Sequence, residues 1–94
     1  MDIVFEINDR RGKKIFLTNK QEKHIITRHS DVKLENVRET IIDPLIIKKD
    51  KLDDDLNYYY KYDKIKKEYL LVVVKYLNGK GFILTSFYIK NIRK

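Results

Sequence analysis

The stretch EYLLVVVKYLNGKGFILTSFYI, residues 68–89, decides the fold of this chain. Asn78-Gly79 near its centre is a dipeptide that two-residue hairpin turns favour, because both positions tolerate a positive φ. The apolar runs on either side, Glu68–Tyr76 and Gly81–Ile89, therefore predict two antiparallel strands. In the first run Val72-Val73-Val74 lacks alternation, which indicates a strand buried on both faces at the centre of a sheet.

Two further strands are predicted before this hairpin. They are the apolar segment Leu45-Ile46-Ile47-Lys48 and the tyrosine-rich segment Asn57–Asp63. Short connections between the segments predict an antiparallel meander of about four strands. Alternation along the tyrosine-rich strand assigns its residues to two faces: Tyr58, Tyr60 and Tyr62 on one, and Tyr59, Lys61 and Asp63 on the other.

The N-terminal part predicts a hairpin and two helices. Ile3–Ile7 and Lys13–Thr18 are apolar runs on either side of a polar turn, which is the pattern of paired strands. Thr18 and Gln21 have the spacing of a capping box, which predicts a first helix that runs to about Arg28.

The second helix is predicted from one apolar stripe, formed by Leu34, Val37 and Ile41, with Ser30 or Asp31 as its N-cap. Pro44 ends it. These elements predict one α+β domain over residues 1–94, with an N-terminal hairpin and two helices packed on a C-terminal antiparallel β-meander. Residues 90–94 are predicted to be exposed.

The composition of the chain limits both the cellular compartment that we expect and the kinds of reactive site that the protein could contain. The chain has no cysteine, which excludes disulfides, cysteine nucleophiles and cysteine metal sites. A secreted domain of this size would usually carry disulfides, and residues 1–8 lack the pattern of a signal peptide. The longest uninterrupted apolar run, Tyr69–Val74, is too short to span a membrane. We therefore expect a cytoplasmic protein with no membrane partner.

The net charge of +7 is unevenly placed. Residues 1–60 are balanced, whereas residues 61–94 carry nine Lys or Arg and two acidic residues. A one-sided positive field attracts polyanions such as RNA. The alternative is an ordinary solvated surface, which the excess of Lys over Arg favours because phosphate sites prefer arginine.

The densest cluster of chemically useful side chains is His24-Ile25-Ile26-Thr27-Arg28-His29. On a helix His24 and Arg28 lie on one face, where a histidine could transfer a proton and an arginine could hold a phosphate. The alternative is that His24 is structural and Arg28 solvated. A metal site is not expected, since no third ligand accompanies the two histidines and Asp53-Asp54-Asp55 has the pattern of a solvated turn.

Polar and aromatic residues of the predicted strands complete the candidate site. Tyr60 and Lys61 could stack a base and hold a phosphate, although tyrosine is also simply a good strand former. Lys75 and Thr85 are polar positions inside apolar runs, an exception to patterning that is frequent at functional sites and also at water-facing edges.

These residues together resemble the barnase–EndoU–colicin–RelE-like nucleases, in particular a small branch associated with phages and mobile elements. The resemblance rests on Leu17…His24-Ile25-x-x-Arg28-His29, Ile41-Ile42-Asp43-Pro44, Val72-Val73-Val74 and Ile83-Leu84-Thr85-Ser86. Lys23 and Ser30 depart from the aromatic residue and the proline that the family carries at these positions.

The resemblance implies a metal-independent endoribonuclease, several relatives being toxins, that cleaves by attack of the 2′-OH and leaves a 2′,3′-cyclic phosphate. No cofactor is implied, and the partners would be RNA and a protein inhibitor, either an antitoxin or an immunity protein. The expected catalytic residues are His24, Arg28, His29, Lys61 and Thr85, and the expected substrate-binding residues are Tyr60, Lys75, Ser86 and Tyr88. The alternatives are a non-catalytic nucleic-acid or protein binding module and a ribosome-dependent mRNA interferase.

Overall fold

The structure is a computed structural model that describes residues 2–92. The elements in chain order are β1 (Ile3–Asn8), β2 (Lys14–Thr18), α1 (Asn19–Arg28), α2 (Leu34–Ile42), β3 (Ile46–Lys49), β4 (Leu56–Asp63), β5 (Glu68–Leu77) and β6 (Lys80–Ile89). The strands form one six-stranded sheet in the order β1-β2-β6-β5-β4-β3, with β1 and β3 at its edges. The predicted α+β class, with two helices packed on a sheet that contains a four-stranded meander, is confirmed.

The β5–β6 hairpin lies at the centre of the sheet, as the sequence predicted. Asn78 and Gly79 both have positive φ values, 53° and 80°, which is the geometry of the tight hairpin turn. β5 pairs with β4 on one side and β6 on the other. Val72, Val73 and Val74 are buried on the two faces of the sheet, which accounts for the loss of alternation.

The N-terminal hairpin is not a separate layer but extends the same sheet. β2 pairs in parallel with β6 through Ile15–Gly81 and Phe16–Phe82, so the sheet is mixed. This junction depends on a glycine, because a Cβ at Gly81 would lie 2.6 Å from Cδ1 of Ile15 and 2.8 Å from Cγ1 of Val74.

The two helices begin differently. Thr18 accepts a hydrogen bond of 3.3 Å from the backbone of Gln21, as the capping pattern predicted for α1. The predicted cap of α2 is wrong: its N-cap is Lys33, which makes no side-chain capping bond, and Ser30 and Asp31 lie before it. Residues 29–33 instead form a connection between the helices, held by the buried Val32.

Both helices pack on one face of the sheet and build the main core. Ile25 of α1 and Val37 and Ile41 of α2 are fully buried against this face, together with the inward residues of β2, β4, β5 and β6. A second, smaller cluster centred on Tyr60, Leu71 and Val73 lies on the other face. Neither α1 nor α2 is long and apolar enough to cross a membrane.

Candidate functional site

The face of the sheet that the helices leave uncovered, here called the open face, is rich in aromatic side chains. Within residues 2–92 no helical residue belongs to its apolar cluster. Strand alternation and pairing direct seven of the eleven Tyr and Phe residues to the open face, namely Phe16, Tyr58, Tyr60, Tyr62, Tyr69, Phe82 and Phe87. The predicted division of the tyrosine-rich strand is confirmed, since Tyr60 joins the open-face cluster and Tyr59 joins the main core.

A groove with a volume of about 1050 Å³ runs over the open face from β3 to β6. Its aromatic and aliphatic floor is formed by Tyr58, Tyr60, Leu71, Phe87 and Ile89. Four lysines and one acidic residue line its sides: Lys48, Lys49, Lys51, Lys90 and Asp50. The groove therefore combines flat hydrophobic surfaces with a net positive charge.

The acidic β3–β4 loop closes one end of this surface. Asp50 accepts a hydrogen bond of 2.5 Å from the Tyr58 hydroxyl and further bonds from the backbone of Leu52 and Asp53. The hydrogen bond to the Asp50 carboxylate, the burial of Tyr58 and the negative charge of Asp50 together raise the pKa of Tyr58 to about 12. Asp53 pairs with the ammonium group of Lys75, and this hydrogen bond raises the pKa of Lys75.

Lys75 thus lies on the open face, as a substrate-binding residue would, but it is already neutralised by a carboxylate of its own chain. The run Asp53-Asp54-Asp55 does lie in a turn, as predicted, and one of its members holds a specific ion pair.

A β-bulge decides which face Thr85 occupies. Val74 pairs with Ile83 whereas Val73 pairs with Thr85, so Leu84 is an extra residue in β6. Without this insertion, alternation from Phe82 would direct Thr85 toward the helices. The bulge instead turns the half-buried hydroxyl of Thr85 toward the open face, beside Val73.

Ser86, the next residue, is turned the other way by the same bulge. It is fully buried, and its hydroxyl donates a hydrogen bond of 2.8 Å to the carbonyl of Leu71. The prediction that Ser86 contacts substrate is therefore not supported by its position, because a side chain that is 0% exposed cannot meet a ligand without opening the sheet.

His29 contacts Phe87, one of the residues that line the groove. It is the C-cap of α1, with its backbone N–H bonded to the carbonyl of Ile25 at 2.7 Å. Its half-buried imidazole is 5.3 Å from the ring of Phe87, centroid to centroid, with a tilt of 32° between the planes. Since Phe87 lines the groove, the structure brings a histidine, a type of side chain that can transfer protons, to the aromatic surface.

His24 and Arg28 lie elsewhere on α1. Both are exposed, and within residues 2–92 neither side chain takes part in a hydrogen bond or an ion pair. The expected catalytic residues do not form one site, because Lys61 and Thr85 lie on opposite faces of the sheet. Lys61 projects to the helix-covered face and donates to the carbonyl of Asp43 at 3.0 Å, while Thr85 projects to the open face.

Lys61 and Tyr88 line a second, smaller cavity, with a volume of about 550 Å³, between α2 and β4. The Tyr88 hydroxyl donates to Asp63 at 2.9 Å, and burial followed by this bond raises the pKa of Tyr88 to about 12. The predicted site residues are thus divided between two sides of the sheet: Tyr60, Lys75 and Thr85 on the open face, and Lys61, Ser86 and Tyr88 on the other.

Sequence reasoning missed a buried polar network beneath the β1–β2 turn. Tyr59 donates a hydrogen bond of 2.7 Å to the buried carboxylate of Asp9, and Arg11 donates to the hydroxyls of both Tyr59 and Tyr76 at 3.0 Å. The two tyrosine hydroxyls also share a hydrogen bond. Burial acts to raise the pKa of Asp9, but bonds from Tyr59, Lys13 and Arg11 outweigh it and lower that pKa.

The network satisfies its own polar groups and ties the N-terminal turn to the centre of the sheet, which is a structural function. The only indication of this network in the sequence was that Asp9 and Arg11 lie in the same predicted turn. The groove lysines of β3 were also missed, although their signal was available: Lys48 and Lys49 follow two apolar residues in a strand next to the tyrosines.

No metal centre is evident in the described part of the chain, where no three His, Cys, Asp or Glu side chains come together. The fold and the groove define the class of the protein: an α+β domain whose open sheet face is aromatic and bordered by lysine. Comparison with protein-family models, with curated proteins and with solved structures found no match for this chain.

Proposed function

We propose that this protein binds single-stranded RNA in the groove of the open face and cleaves it without a metal ion. The observation that carries the proposal is the arrangement of an aromatic floor, lysine-lined sides and a histidine ring packed against Phe87 of that floor. The resemblance to barnase–EndoU–colicin–RelE-like nucleases supports the same activity and implies a protein inhibitor. The proposed cytoplasmic location rests on the lack of cysteine.

The groove suits an unpaired strand better than a duplex. Bases of a single strand can leave their own stack and lie on tyrosine or phenylalanine rings, which contributes about 1–3 kcal/mol per base. Tyr58, Tyr60 and Phe87 provide such rings along the floor. The lysines at the sides attract the phosphates that connect the bases.

The proposed reaction is attack of a ribose 2′-OH on the adjacent phosphorus. The bond from the 2′-oxygen to phosphorus forms, the bond from phosphorus to the 5′-oxygen breaks, and the product ends in a 2′,3′-cyclic phosphate. His29 would accept the 2′-OH proton or supply a proton to the departing 5′-oxygen. The lysines that line the groove would stabilise charge on the phosphorane, and Thr85, on the open face two residues before Phe87, would orient the phosphate.

This assignment places catalysis on His29 rather than on His24. Of the two histidines, His29 packs against Phe87 of the groove floor, whereas His24 lies five residues earlier on an exposed surface of α1. Lys61 is outside the proposed site, because its ammonium group is bound to the end of α2 on the opposite side of the sheet.

A second candidate function is RNA binding without cleavage. It is favoured by the absence, among the described residues, of any second histidine beside His29 to complete an acid–base pair. In that case the groove alone would account for the function.

Labelled single-stranded RNA incubated with the purified protein in EDTA tests the proposal. We expect cleavage with 2′,3′-cyclic phosphate ends, and a rate about 100-fold lower for His29→Ala. His24→Ala is the matched control and should remain within twofold of the wild-type rate. Binding with no cleavage would favour the second candidate, and equal activity of the His29→Ala variant would exclude His29 as the proton-transfer group.

A further inference from the structure

The β4–β5 turn contacts the segment that begins with His29. Lys66 lies in the β4–β5 turn, and its Nζ donates a hydrogen bond of 2.5 Å to Oδ2 of Asp31. Asp31 is two residues after His29, in the connection between α1 and α2. The ion pair therefore joins segments that are 35 residues apart in sequence.

Lys66 is itself held by two further contacts, one at its ammonium group and one at its backbone. The ammonium group lies 4.3 Å from the centroid of the Tyr88 ring, a cation–π contact, and the Tyr88 hydroxyl donates to Asp63. The Asp63 carboxylate in turn accepts backbone hydrogen bonds from Ile65 at 2.9 Å and Lys66 at 3.1 Å. The turn and the ring thus form a preorganised support for the lysine.

The segment that the lysine contacts is otherwise held by the buried Val32 and by backbone hydrogen bonds. Residues 29–33 belong to neither helix, and α2 begins without a side-chain cap. Val32 is 4% exposed and its backbone N–H bonds to the carbonyl of His29 at 3.0 Å. Asp31 is the one acidic residue in this connection, and its ion pair is with Lys66.

We propose that Lys66 is a positioning residue that fixes the connection after α1 through Asp31 and so holds the imidazole of His29 against Phe87. The inference rests on the proposed function for its consequence in catalysis. The hydrogen bond from Lys66 lowers the pKa of Asp31, which favours the charged carboxylate that the ion pair requires. Lys66 does not touch the groove itself, since it is not among the residues that line it.

Proton NMR of the imidazoles tests this link directly, because the chain has two histidines and His24→Gln identifies the remaining signal. In Lys66→Met the Hε1 resonance of His29 should move toward that of the exposed His24, because the ring-current effect of Phe87 is lost. Lys64→Met is the matched control, a lysine of the same turn with no ion pair among the described residues, and should leave the resonance in place.

Kinetics of RNA cleavage provide the second readout. Lys66→Met should lower kcat about tenfold with little change in KM, since a displaced catalytic group slows chemistry without removing binding contacts. Lys66→Arg should restore most of the rate. Asp31→Asn should reproduce the defect, and the double variant should be no worse than either single variant. The melting temperature should remain within a few degrees, because exposed ion pairs contribute little to stability.

An unmoved His29 resonance in Lys66→Met would overturn the proposal, and so would a moved resonance with an unchanged kcat in a wild-type protein that cleaves RNA. If the wild-type protein cleaves no RNA, the proposed function is wrong, and this result does not decide whether Lys66 positions His29. The resonance then decides the structural link: a shift in Lys66→Met supports it, and identical spectra for Lys66→Met and Lys64→Met refute it.

Discussion

The salt dependence of RNA binding follows directly from the charges that line the groove. Four lysines and Asp50 border it, which is a net charge of +3. Each phosphate of a single strand that a protein neutralises contributes about −0.7 to the slope of log affinity against log salt concentration. Three neutralised phosphates therefore predict a slope of about −2.1, and an affinity that falls about 20-fold between roughly 50 and 200 mM salt.

Removing one groove lysine should change this slope by a defined amount. Lys90→Gln leaves a net charge of +2 on the groove lining, so the slope should become about −1.4 and the fall in affinity about sevenfold over the same range. Lys20→Gln removes the same charge from an exposed position on α1 that does not line the groove, and its slope should equal that of the wild type.

Fluorescence anisotropy with a labelled single-stranded oligonucleotide, titrated at five or more salt concentrations, measures these slopes. The His29→Ala variant is used for the titration because its slower reaction limits cleavage of the oligonucleotide. A wild-type slope shallower than about −1, or equal effects of Lys90→Gln and Lys20→Gln, would refute the assignment of the groove as the binding surface.

Two further predictions concern the buried network and the junction within the sheet. Tyr59→Phe removes hydrogen bonds to the charged groups of Asp9 and Arg11 and should lower the free energy of unfolding by about 2–3 kcal/mol, measured by urea denaturation; a loss below about 0.5 kcal/mol would contradict this reading. Because the pKa of Asp9 is lowered on folding, its stabilising contribution is present at neutral pH and is lost as the pH falls below about 4, and this acid sensitivity should be weaker in Tyr59→Phe. Gly81→Ala places a Cβ 2.6 Å from Cδ1 of Ile15 and should destabilise the protein by about 1–3 kcal/mol, measured by thermal denaturation. A melting temperature equal to that of the wild type would contradict this.

Local patterns in the sequence were sufficient to predict most of the elements. The Asn78-Gly79 turn, the cap at Thr18 and the alternation of the tyrosine-rich strand are each decided by residues close together in the chain, and each is confirmed. The predicted N-cap of α2 was wrong because a contact distant in the chain decides where this helix begins. Burial of Val32 in the core overrides the preference of Ser30 or Asp31 for the N-cap position.

The candidate site was predicted in part. The sequence identified Tyr60, Thr85 and the histidine-containing helix as candidates, but it could not show that His29 rather than His24 reaches the sheet, or that Lys61 turns away from Thr85. These facts depend on how α1 rotates about its axis against β6 and on the bulge at Leu84, which reverses the face of every residue that follows.

The sequence by itself determined which segments are strands and helices and which residues alternate, because hydrophobic period, turn chemistry and capping act over a few neighbouring residues. Only the tertiary structure decided that the N-terminal hairpin joins the meander through a parallel β2–β6 pair and that Asp9 meets Tyr59. It also decided that Lys66 reaches the loop after His29. Contacts between segments 35 to 65 residues apart are selected by how the whole core packs, and no local propensity in either segment encodes them.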